Sequence, residues 1–338
     1  MKTHQTAGNT YRLPNSMNDF QQALYIHLID WKWAHITREP GRDRGGWYDA
    51  ILPEEYVERM PMHYPPVRAA LQSHRALFPF RIHKYFNHMA SSQAAILNLF
   101  LPILLHPEAA AILSAVRSDL ARIATGQLDQ GFRIEFWDEP YGNLNDKSPV
   151  AGTDADIAIA YYNHQNELCL WLIEHKLTEN EFTTCGGFRS PGRQARHACN
   201  HSFAEILADP SICYYHDVSH HRYWEITARN LDFFPNPVAF QGCPFWGGLN
   251  QLWRNQLLAL SIAQDERQPY QHVSFSVVHH PRNMALNPSL NAYQKLTAGN
   301  PNFSVFTSAD LLKAAKSVQD PDLDAWIAWY RDLYDLRG

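Results

Sequence analysis

The sequence lacks the long apolar segments that secretion and membrane insertion require. Its longest apolar run covers residues 94–105, contains Asn98 and Pro102, and is too short to span a bilayer. The first 20 residues are polar and include no apolar core of the kind found in secretory signal peptides. We therefore expect a cytoplasmic protein that has no membrane partner.

Positive charge and closely spaced cysteines are also scarce. The 338 residues include 29 Lys and Arg against 34 Asp and Glu, which gives a net charge of −5 at pH 7. Because non-specific binding along nucleic acids depends on Lys and Arg, this composition argues against broad coating of DNA or RNA but permits a local basic cleft. The five cysteines include no Cys-x-x-Cys pair, which favours reduced thiols over a disulfide framework.

Internal repeats, low-complexity tracts and the motifs of methyltransferases and helicases are absent as well. Hydrophobic residues make up 45% of the chain and aromatic residues 13%, so the sequence can form a sizeable packed core. The clearest functional signal within this globular composition lies at residues 152–179.

Two apolar runs in this stretch predict a β-hairpin. Residues 157–161 and 168–173 are apolar and rich in strand-forming side chains, and the polar residues 163–166 between them are typical of a turn. Both faces of the second run are apolar, which predicts a central strand that is covered on both sides.

Charged residues flank the predicted hairpin at one edge. Asp156 precedes the first strand, and Glu174 and Lys176 end the second, where an alternating strand directs both side chains to one face and His175 to the other. Antiparallel pairing would bring Asp156 beside Glu174 and Lys176. Two carboxylates suit Mg²⁺, and the ammonium could orient a water molecule or offset charge on a reacting phosphate.

The same pattern has a plainer interpretation. A strand that ends in solvated charges, with a Glu–Lys surface pair, would give the same residues, and an Asp followed by a distant Glu-x-Lys is common by chance. The buried apolar run that ends directly at the charges favours the catalytic interpretation.

The segment resembles the core of the PD-(D/E)xK nuclease superfamily, which has the restriction-endonuclease-like fold. Residues 88–100, 173–179 and 243–259 are further similar to a bacterial subfamily described as restriction endonucleases. The resemblance covers about residues 80–280 and implies an α/β fold with a mixed central β-sheet flanked by helices. We accordingly expect an irregular, mostly helical N-terminal extension over residues 1–80 and the nuclease domain over residues 81–338.

Carried over position by position, the resemblance assigns the catalytic residues. Asp156, Glu174 and Lys176 match the catalytic aspartate, glutamate and lysine, and Asp156 and Glu174 match the metal ligands. The departure is at the Pro-Asp element, where Ala155 precedes Asp156. Asp154 shares a strand face with Asp156 and remains a competing candidate.

Further positions of the family pattern imply a wider site. Glu135 lies upstream, where many relatives place an additional acidic residue. Gln251 lies on a helix predicted downstream, as does a glutamine that contacts the site in some branches. The helix that precedes the catalytic strands would direct Gln93 toward the site.

The function that follows is a Mg²⁺-dependent, or Mn²⁺-dependent, nuclease. Its substrate would be DNA, in restriction and defence or in DNA repair, and the enzyme could act as a homodimer. The alternative is a catalytically silent nucleic-acid-binding module on the same fold.

Two arginine-bearing segments are candidates for DNA contacts. Arg189, Arg193 and Arg196 follow the catalytic strand closely and could bind phosphates, although a solvated basic face would show the same pattern. The Gly- and Arg-rich residues 38–47 could form a DNA-contacting arm, and a solvated surface loop is the plainer interpretation.

The cysteines and histidines raise a further metal hypothesis. Four cysteines follow the catalytic strand: Cys185, Cys199, Cys213 and Cys243. Some nucleases of the superfamily hold an iron–sulfur cluster, but the spacing here does not match theirs, and a structural zinc with His197 or His201 is a second alternative. A zinc hydrolase is the remaining hypothesis, although Ala198 stands where zinc peptidases have their glutamate.

The rest of the sequence predicts elements that would surround the hairpin. Helices are expected over residues 92–105, 107–124, 245–264 and 322–336, with a further helix beginning near Thr307 or Ser308. Strands are expected over residues 132–136, 273–279 and 303–306.

Overall fold

The chain folds into an α/β structure built on one mixed β-sheet. The computed structural model describes residues 2–6, 8–43, 45–148, 152–236 and 241–336. Over these ranges a six-stranded sheet is covered by helices on both faces, with a separate apolar core on each side. The fold class predicted from the sequence is confirmed.

The described residues form ten strands and twelve helices. The strands are β1 (Lys2–Thr6), β2 (Asn9–Leu13), β3 (Gly41–Asp43), β4 (Gly46–Tyr48), β5 (Leu120–Ile123), β6 (Phe132–Phe136), β7 (Ala155–Asn163), β8 (Leu168–Lys176), β9 (His272–His279) and β10 (Phe303–Thr307). The helices are α1 (Asp19–His35), α2 (Arg68–Leu77), α3 (Ser92–Leu104), α4 (Ala109–Ser114), α5 (Gly186–Arg189), α6 (Phe203–Ala208), α7 (Tyr214–Asp217), α8 (Tyr223–Arg229), α9 (Asn250–Ala263), α10 (Asn287–Leu296), α11 (Ser308–Lys316) and α12 (Pro321–Leu333).

The predicted hairpin is confirmed at the centre of this sheet. The strand order is β10–β9–β8–β7–β5, and β6 also pairs with β7. Strands β8, β9 and β10 are parallel, whereas β7 is antiparallel to β8 with Ile157 paired to Ile173. This register places Asp156 opposite Glu174, as the sequence predicted.

Alternating side chains of β7 and β8 supply both cores. Ile159 and Trp171 belong to the core that includes α3 and α12, whereas Ala158, Leu170 and Leu172 belong to the core that includes α9. Every residue of β8 is buried, because helices cover the sheet on both sides. The prediction of a doubly covered strand is therefore confirmed.

The N-terminal region contains strands as well as helices. An irregular, mostly helical extension was expected here, but β1 and β2 form an antiparallel hairpin in which Tyr11 and Leu13 are buried. Leu28 of α1 belongs to the same core as Trp171 of β8. A domain boundary at residue 80 stays a prediction, although side chains from both sides of it share one core.

The single helix predicted over residues 107–124 is wrong in its second half. Helix α4 ends at Ser114, and the following residues form β5, whose Ile123 pairs with Tyr161 of β7. The Ala124 N–H also donates to the Ala160 carbonyl. Ile112 and Leu120 are buried in the core, but the backbone hydrogen bonds offered by β7 override the helical spacing of the apolar residues.

The other predicted elements are present with shifted ends. Helix α9 begins at Asn250 instead of residue 245, and β6, β9 and β10 match the predicted strands. Thr307 caps α11 and forms a capping box with Asp310. Among the described residues, no helix combines the length and the apolar character needed to cross a membrane.

Buried histidines make the fold sensitive to acid. Burial lowers the pKa of His63 and His280 to about 4 and that of His175 to about 3. These rings stay neutral in the folded chain, but in the unfolded chain they take up protons near pH 6.5. Their contribution to stability is complete above pH 6.5 and is lost as the pH falls toward 4, by about 2–3 kcal/mol for each ring.

We expect His63→Phe to reduce this acid sensitivity, because Phe stays uncharged and keeps the stacking on Phe86. The measurement is urea unfolding at a series of pH values between 7 and 4.5. The exposed His164→Asn substitution serves as the control and should leave the pH dependence unchanged. An identical pH dependence in the wild type and in His63→Phe would contradict this account.

Candidate active site

The ends of β7 and β8 bring the three predicted catalytic residues to one cavity. Asp156, Glu174 and Lys176 all line a cavity of about 610 Å³ at this edge of the sheet. Glu174 and Lys176 are two residues apart on β8 and therefore share a face. His175 is buried on the opposite face, as predicted from the alternation.

Glu174 is the most heavily hydrogen-bonded residue of the site. Lys176 Nζ donates to Glu174 Oε1 at 2.9 Å, and Gln251 Nε2 donates to the same oxygen at 2.6 Å. Asn255 Nδ2 donates to Oε2 at 3.0 Å. Glu174 and Lys176 are only 4% and 6% exposed. The plainer interpretation, a solvated Glu–Lys surface pair, is therefore wrong.

Gln251 and Asn255 hold Glu174 from the helix that covers this face of the sheet. They lie one turn apart on α9, so both amides reach the same carboxylate. The sequence resemblance pointed to Gln251, and the i, i+4 spacing was the signal that could have added Asn255. Their two N–H donors fix the carboxylate in one orientation.

Asp156 is held through the backbone of the neighbouring strand. Its Oδ2 accepts a hydrogen bond from the His175 N–H at 2.7 Å. Among the described residues, no hydrogen bond is donated to its other oxygen, Oδ1. Asp154 also lines the cavity, so both candidate aspartates remain beside the site.

Glu135 forms a second anchored carboxylate opposite Asp156. It lies between the pairs Ile134–Ile157 and Phe136–Ala155, and its φ of 53° is in the left-handed region. Gln93 Nε2 donates to Glu135 Oε1 at 2.7 Å. The resemblance implied that Gln93 and Glu135 lie near the hairpin. In the structure these two residues also contact each other directly.

His83 completes this cluster and was not anticipated from the sequence. Its Nε2 lies 3.1 Å from Glu135 Oε2, and its backbone N–H donates to Gln93 Oε1 at 3.0 Å. The hydrogen bond to Glu135 raises the pKa of His83. No local pattern marks this histidine, because its partner lies 52 residues away.

The carboxylates of the site crowd one another. Burial raises the pKa of Asp156 well above its usual value, and the charges of Glu174 and Glu135 raise it further. Burial also raises the pKa of Glu174, although Lys176 acts in the opposite direction. Burial by itself lowers the pKa of Lys176, but Glu174, Glu179 and Asp156 together hold it above its ordinary value.

The donor set fits a hard divalent cation. Asp156 Oδ1 and the Glu174 carboxylate are oxygen donors, and Mg²⁺ is commonly held by one or two carboxylates together with water and substrate phosphates. The buried Gln251 Oε1 has no hydrogen-bond partner among the described residues and could accept from a cation-bound water. No group of three or more His, Cys, Asp or Glu side chains that could hold a metal occurs in the described part of the chain.

The N-terminal region forms the facing wall of the cavity. Sequence reasoning did not place these residues at the site, because they lie more than 60 positions before β7 and β8. The wall includes Tyr25, Asp43, Tyr48, His83, Tyr85 and His88. Aromatic side chains therefore lie opposite the carboxylates of β7 and β8.

The predicted phosphate-binding arginines lie outside this cavity. Arg189, Arg193 and Arg196 are exposed, and none of them lines it. Arg196 forms an ion pair with Asp217 at 2.6 Å, whereas Arg193 lies over the ring of Phe188. Their role in DNA binding stays a prediction.

The four cysteines after β8 are free thiols in neighbouring segments. The Cys243 N–H donates to the Cys199 carbonyl at 3.3 Å, and burial raises the pKa of Cys199 to about 12. Burial likewise raises the pKa of Cys185, Cys213 and Cys243, so the thiols stay protonated at neutral pH. The described residues thus offer no ligand set for the zinc or iron–sulfur alternatives.

His197 and His201 do not lie on a common helix. A 3-10 turn ends at His197, and α6 begins at Phe203. The Gln194 N–H donates to His197 Nδ1 at 3.1 Å, and His197 Nε2 lies 3.0 Å from Asp217. The single helix that the zinc-hydrolase hypothesis needs to carry both histidines is therefore not formed, and both ring nitrogens of His197 are engaged.

Because burial and neighbouring carboxylates disfavour the charged forms of Asp156 and Glu174, we expect the site to reduce the stability of the folded protein. An acid whose folded pKa is raised binds protons more tightly in the folded chain, so stability declines as the pH rises through its ordinary value of about 4. We expect Asp156→Asn to raise the free energy of unfolding of the metal-free protein by about 1–2 kcal/mol at pH 7.5. Asn keeps the acceptor for the His175 N–H and removes the buried charge.

Urea unfolding followed by circular dichroism, with a chelator present, measures this difference. The partly exposed Asp324→Asn substitution, which weakens the ion pair with Lys316, is the control and should change stability by less than about 0.5 kcal/mol. A destabilised Asp156→Asn variant would show that the carboxylate contributes to folding and that the crowding has no energetic cost.

Comparison with known proteins identifies the family. No curated protein and no solved structure gives a match to the chain. A family model described as "Restriction Endonuclease associating with ARP" matches residues 17–335, a range that includes β7, β8 and the residues that line the cavity from Tyr25 onward. The resemblance to restriction endonucleases is thereby confirmed, and the chain belongs to the family of restriction endonucleases associating with ARP.

Proposed function

We propose that the protein is a Mg²⁺-dependent nuclease that hydrolyses phosphodiester bonds in DNA, with Mn²⁺ as an effective substitute. The observation that carries this proposal is the buried Lys176–Glu174 pair, which lies opposite Asp156 in an open cavity. A buried ion pair contributes little to stability by itself, so its position at a cavity wall favours a role in chemistry.

In this proposal Asp156 and Glu174 are the metal ligands. A bound divalent cation would polarise the scissile phosphate and lower the pKa of an attacking water. Lys176, whose raised pKa keeps it charged, would orient that water or offset charge on the phosphate. Gln251 and Asn255 position Glu174. Asp154 and Glu135 are the alternative ligands within the proposal.

The cellular role is proposed from the family. Restriction or defence suits a restriction endonuclease, and DNA repair is the second setting for the same chemistry. The family description names an association with ARP, so we propose an ARP partner for this chain. A homodimer that acts in the cytoplasm completes the proposal.

Loss of the ion pair should abolish cleavage. We expect Glu174→Gln and Lys176→Met each to reduce Mg²⁺-dependent cleavage of DNA by at least about 10²–10³-fold, because each removes a charge that faces the reacting phosphate. Both substitutions preserve side-chain volume. Product formation is followed on labelled DNA with Mg²⁺, with Mn²⁺ and with a chelator.

The control for this experiment is Glu225→Gln, which removes an exposed pair with Arg222 on α8 and should cleave like the wild type. Equal cleavage by the wild type and Lys176→Met would reject the assignment. Binding without any cleavage by the wild type, on DNA and RNA alike, would instead identify a catalytically silent binding module.

The three exposed arginines generate a separate prediction about salt. If each of Arg189, Arg193 and Arg196 contacts one phosphate, its replacement by Ala should reduce the dependence of log affinity on log salt by about one unit. Fluorescence anisotropy with Ca²⁺ in place of Mg²⁺ measures this slope. Exposed Lys313→Ala, on α11, is the control. Unchanged slopes in all three variants would remove these residues from the interface.

A further inference from the structure

A two-faced β-hairpin separates the catalytic cavity from a larger second cavity of about 1010 Å³. In β3 and β4, Arg42 pairs with Trp47, and Gly41 pairs with Tyr48. Because side chains alternate along a strand, the two strands present different residues on their two faces. Asp43 and Tyr48 line the catalytic cavity, whereas Arg42 and Trp47 line the second.

Residues 83–85, which follow α2, are likewise divided between the two cavities. Tyr85 lines the catalytic cavity, Lys84 lines the second cavity, and His83 lines both. Lys84 Nζ lies 3.9 Å from Asp43 Oδ1 and 4.5 Å from the centre of the Tyr85 ring, which links this segment to the hairpin. The two cavities therefore meet at His83, the residue that contacts Glu135 of the candidate active site.

The second cavity combines an aromatic wall with charged side chains. Trp47 is 51% exposed, and Leu52 and Phe86 form a buried apolar floor. The charged residues that line it, besides His83, are Arg12, Arg42, Lys84, Glu39, Glu54 and Glu55. Cations and carboxylates are thus balanced there, unlike in the catalytic cavity.

The catalytic cavity is strongly acidic by comparison. Five carboxylates line it, against the single ammonium of Lys176: Asp43, Asp154, Asp156, Glu174 and Glu179. Bound divalent cations can offset this charge for one reacting phosphate, but the neighbouring nucleotide of the same strand needs another environment. The second cavity supplies cations and an aromatic ring directly beside it.

The hairpin that carries Trp47 is held firmly in place. The Gly41 N–H donates to the Ile51 carbonyl at 2.8 Å. A β-carbon on Gly41 would lie 2.4 Å from Ile51 Cγ2 and 2.5 Å from the Leu52 carbonyl oxygen, so only glycine fits there. The adjacent Arg12 is fixed by the buried carboxylate of Asp49 at 2.7 Å. The wall is therefore formed before any ligand arrives.

We propose that the second cavity holds an unpaired nucleotide of the DNA strand that is cut, with its base stacked on Trp47 and its phosphate bound by Arg42 and Lys84. This inference rests on the proposed nuclease function, since it concerns the nucleotide next to the scissile bond. Base–aromatic stacking tolerates any base, and Glu54 and Glu55 can accept hydrogen bonds from exocyclic amino groups. The volume of about 1010 Å³ is at the upper limit for ligand-binding sites and accommodates one nucleotide.

The substrate class follows from this occupant. A base that stacks on a protein ring cannot at the same time be paired within a duplex, so the nuclease acts on single-stranded DNA or on a strand whose nucleotide is extruded from the helix. Duplex DNA without such a feature should bind more weakly.

The test measures binding with Ca²⁺ in place of Mg²⁺, so that a divalent cation offsets the carboxylates and the measurement does not depend on catalysis. Fluorescence anisotropy compares a short labelled single strand with the corresponding duplex at fixed salt. We expect the wild type to prefer the single strand and Trp47→Ala to weaken single-strand binding at least about fivefold. Trp47→Phe should retain most of the affinity because it keeps a ring for stacking.

A matched control is Tyr141→Ala, which removes an exposed aromatic ring covered by Arg267 and should bind like the wild type. Quenching of 2-aminopurine in the single strand, relieved in Trp47→Ala but not in Tyr141→Ala, would report the stacking directly. Thermal unfolding confirms that each variant is folded, as expected for substitutions at half-exposed rings.

Two results would overturn the inference: equal single-strand affinity in Trp47→Ala and the wild type, or preference of the wild type for the plain duplex. Cleavage assays with Mg²⁺ on the same oligonucleotides distinguish a failure of this inference from a failure of the proposed nuclease function. Cleavage that persists while Trp47→Ala binds normally rejects the nucleotide site alone. A Trp47 effect without any cleavage retains the nucleotide site and rejects the nuclease.

Discussion

The structure depends on the burial of two opposite charges at the end of a central strand. Removing Glu174 and Lys176 from water is costly, and their mutual attraction offsets that cost only with further hydrogen bonds. Gln251 and Asn255 supply these bonds, which requires α9 to pack against the sheet in one register. Asp156 adds a third, partly buried charge, so the site retains a surplus of negative charge that suits a cation.

The two cores make this arrangement possible. Strands β7 and β8 are apolar on both faces, so the sheet is covered on both sides and the charged residues begin only where the apolar runs end. The groups proposed for catalysis are therefore held on rigid backbone at the ends of two central strands. The N-terminal residues form the opposite wall, so the ends of β7 and β8 open into a cavity.

How much of the site could be predicted from the sequence depends on how far apart in the chain the contacting residues lie. Asp156, Glu174 and Lys176 were predictable because strand alternation and one short hairpin bring them together. The partners of Gln93 and Gln251 lie 42 and 77 residues away, so no local pattern encodes these contacts. The resemblance to a known family indicated that both residues lie near the site. His83 and the aromatic wall have no local pattern, because only the packing of the N-terminal region positions them. The strand β5 was mistaken for helix because its partner β7 decides its conformation.

The two-faced hairpin has a consequence for how such enzymes can diverge. The groups proposed for bond breaking are carried by β7, β8 and α9, whereas Trp47 and Arg42 belong to a short segment more than 100 positions earlier in the chain. The close contacts around Gly41 keep the base of this segment in place. Under the two proposals, chemistry and substrate choice lie on separate stretches of sequence, and exchange of one hairpin is then a direct route to a new preference.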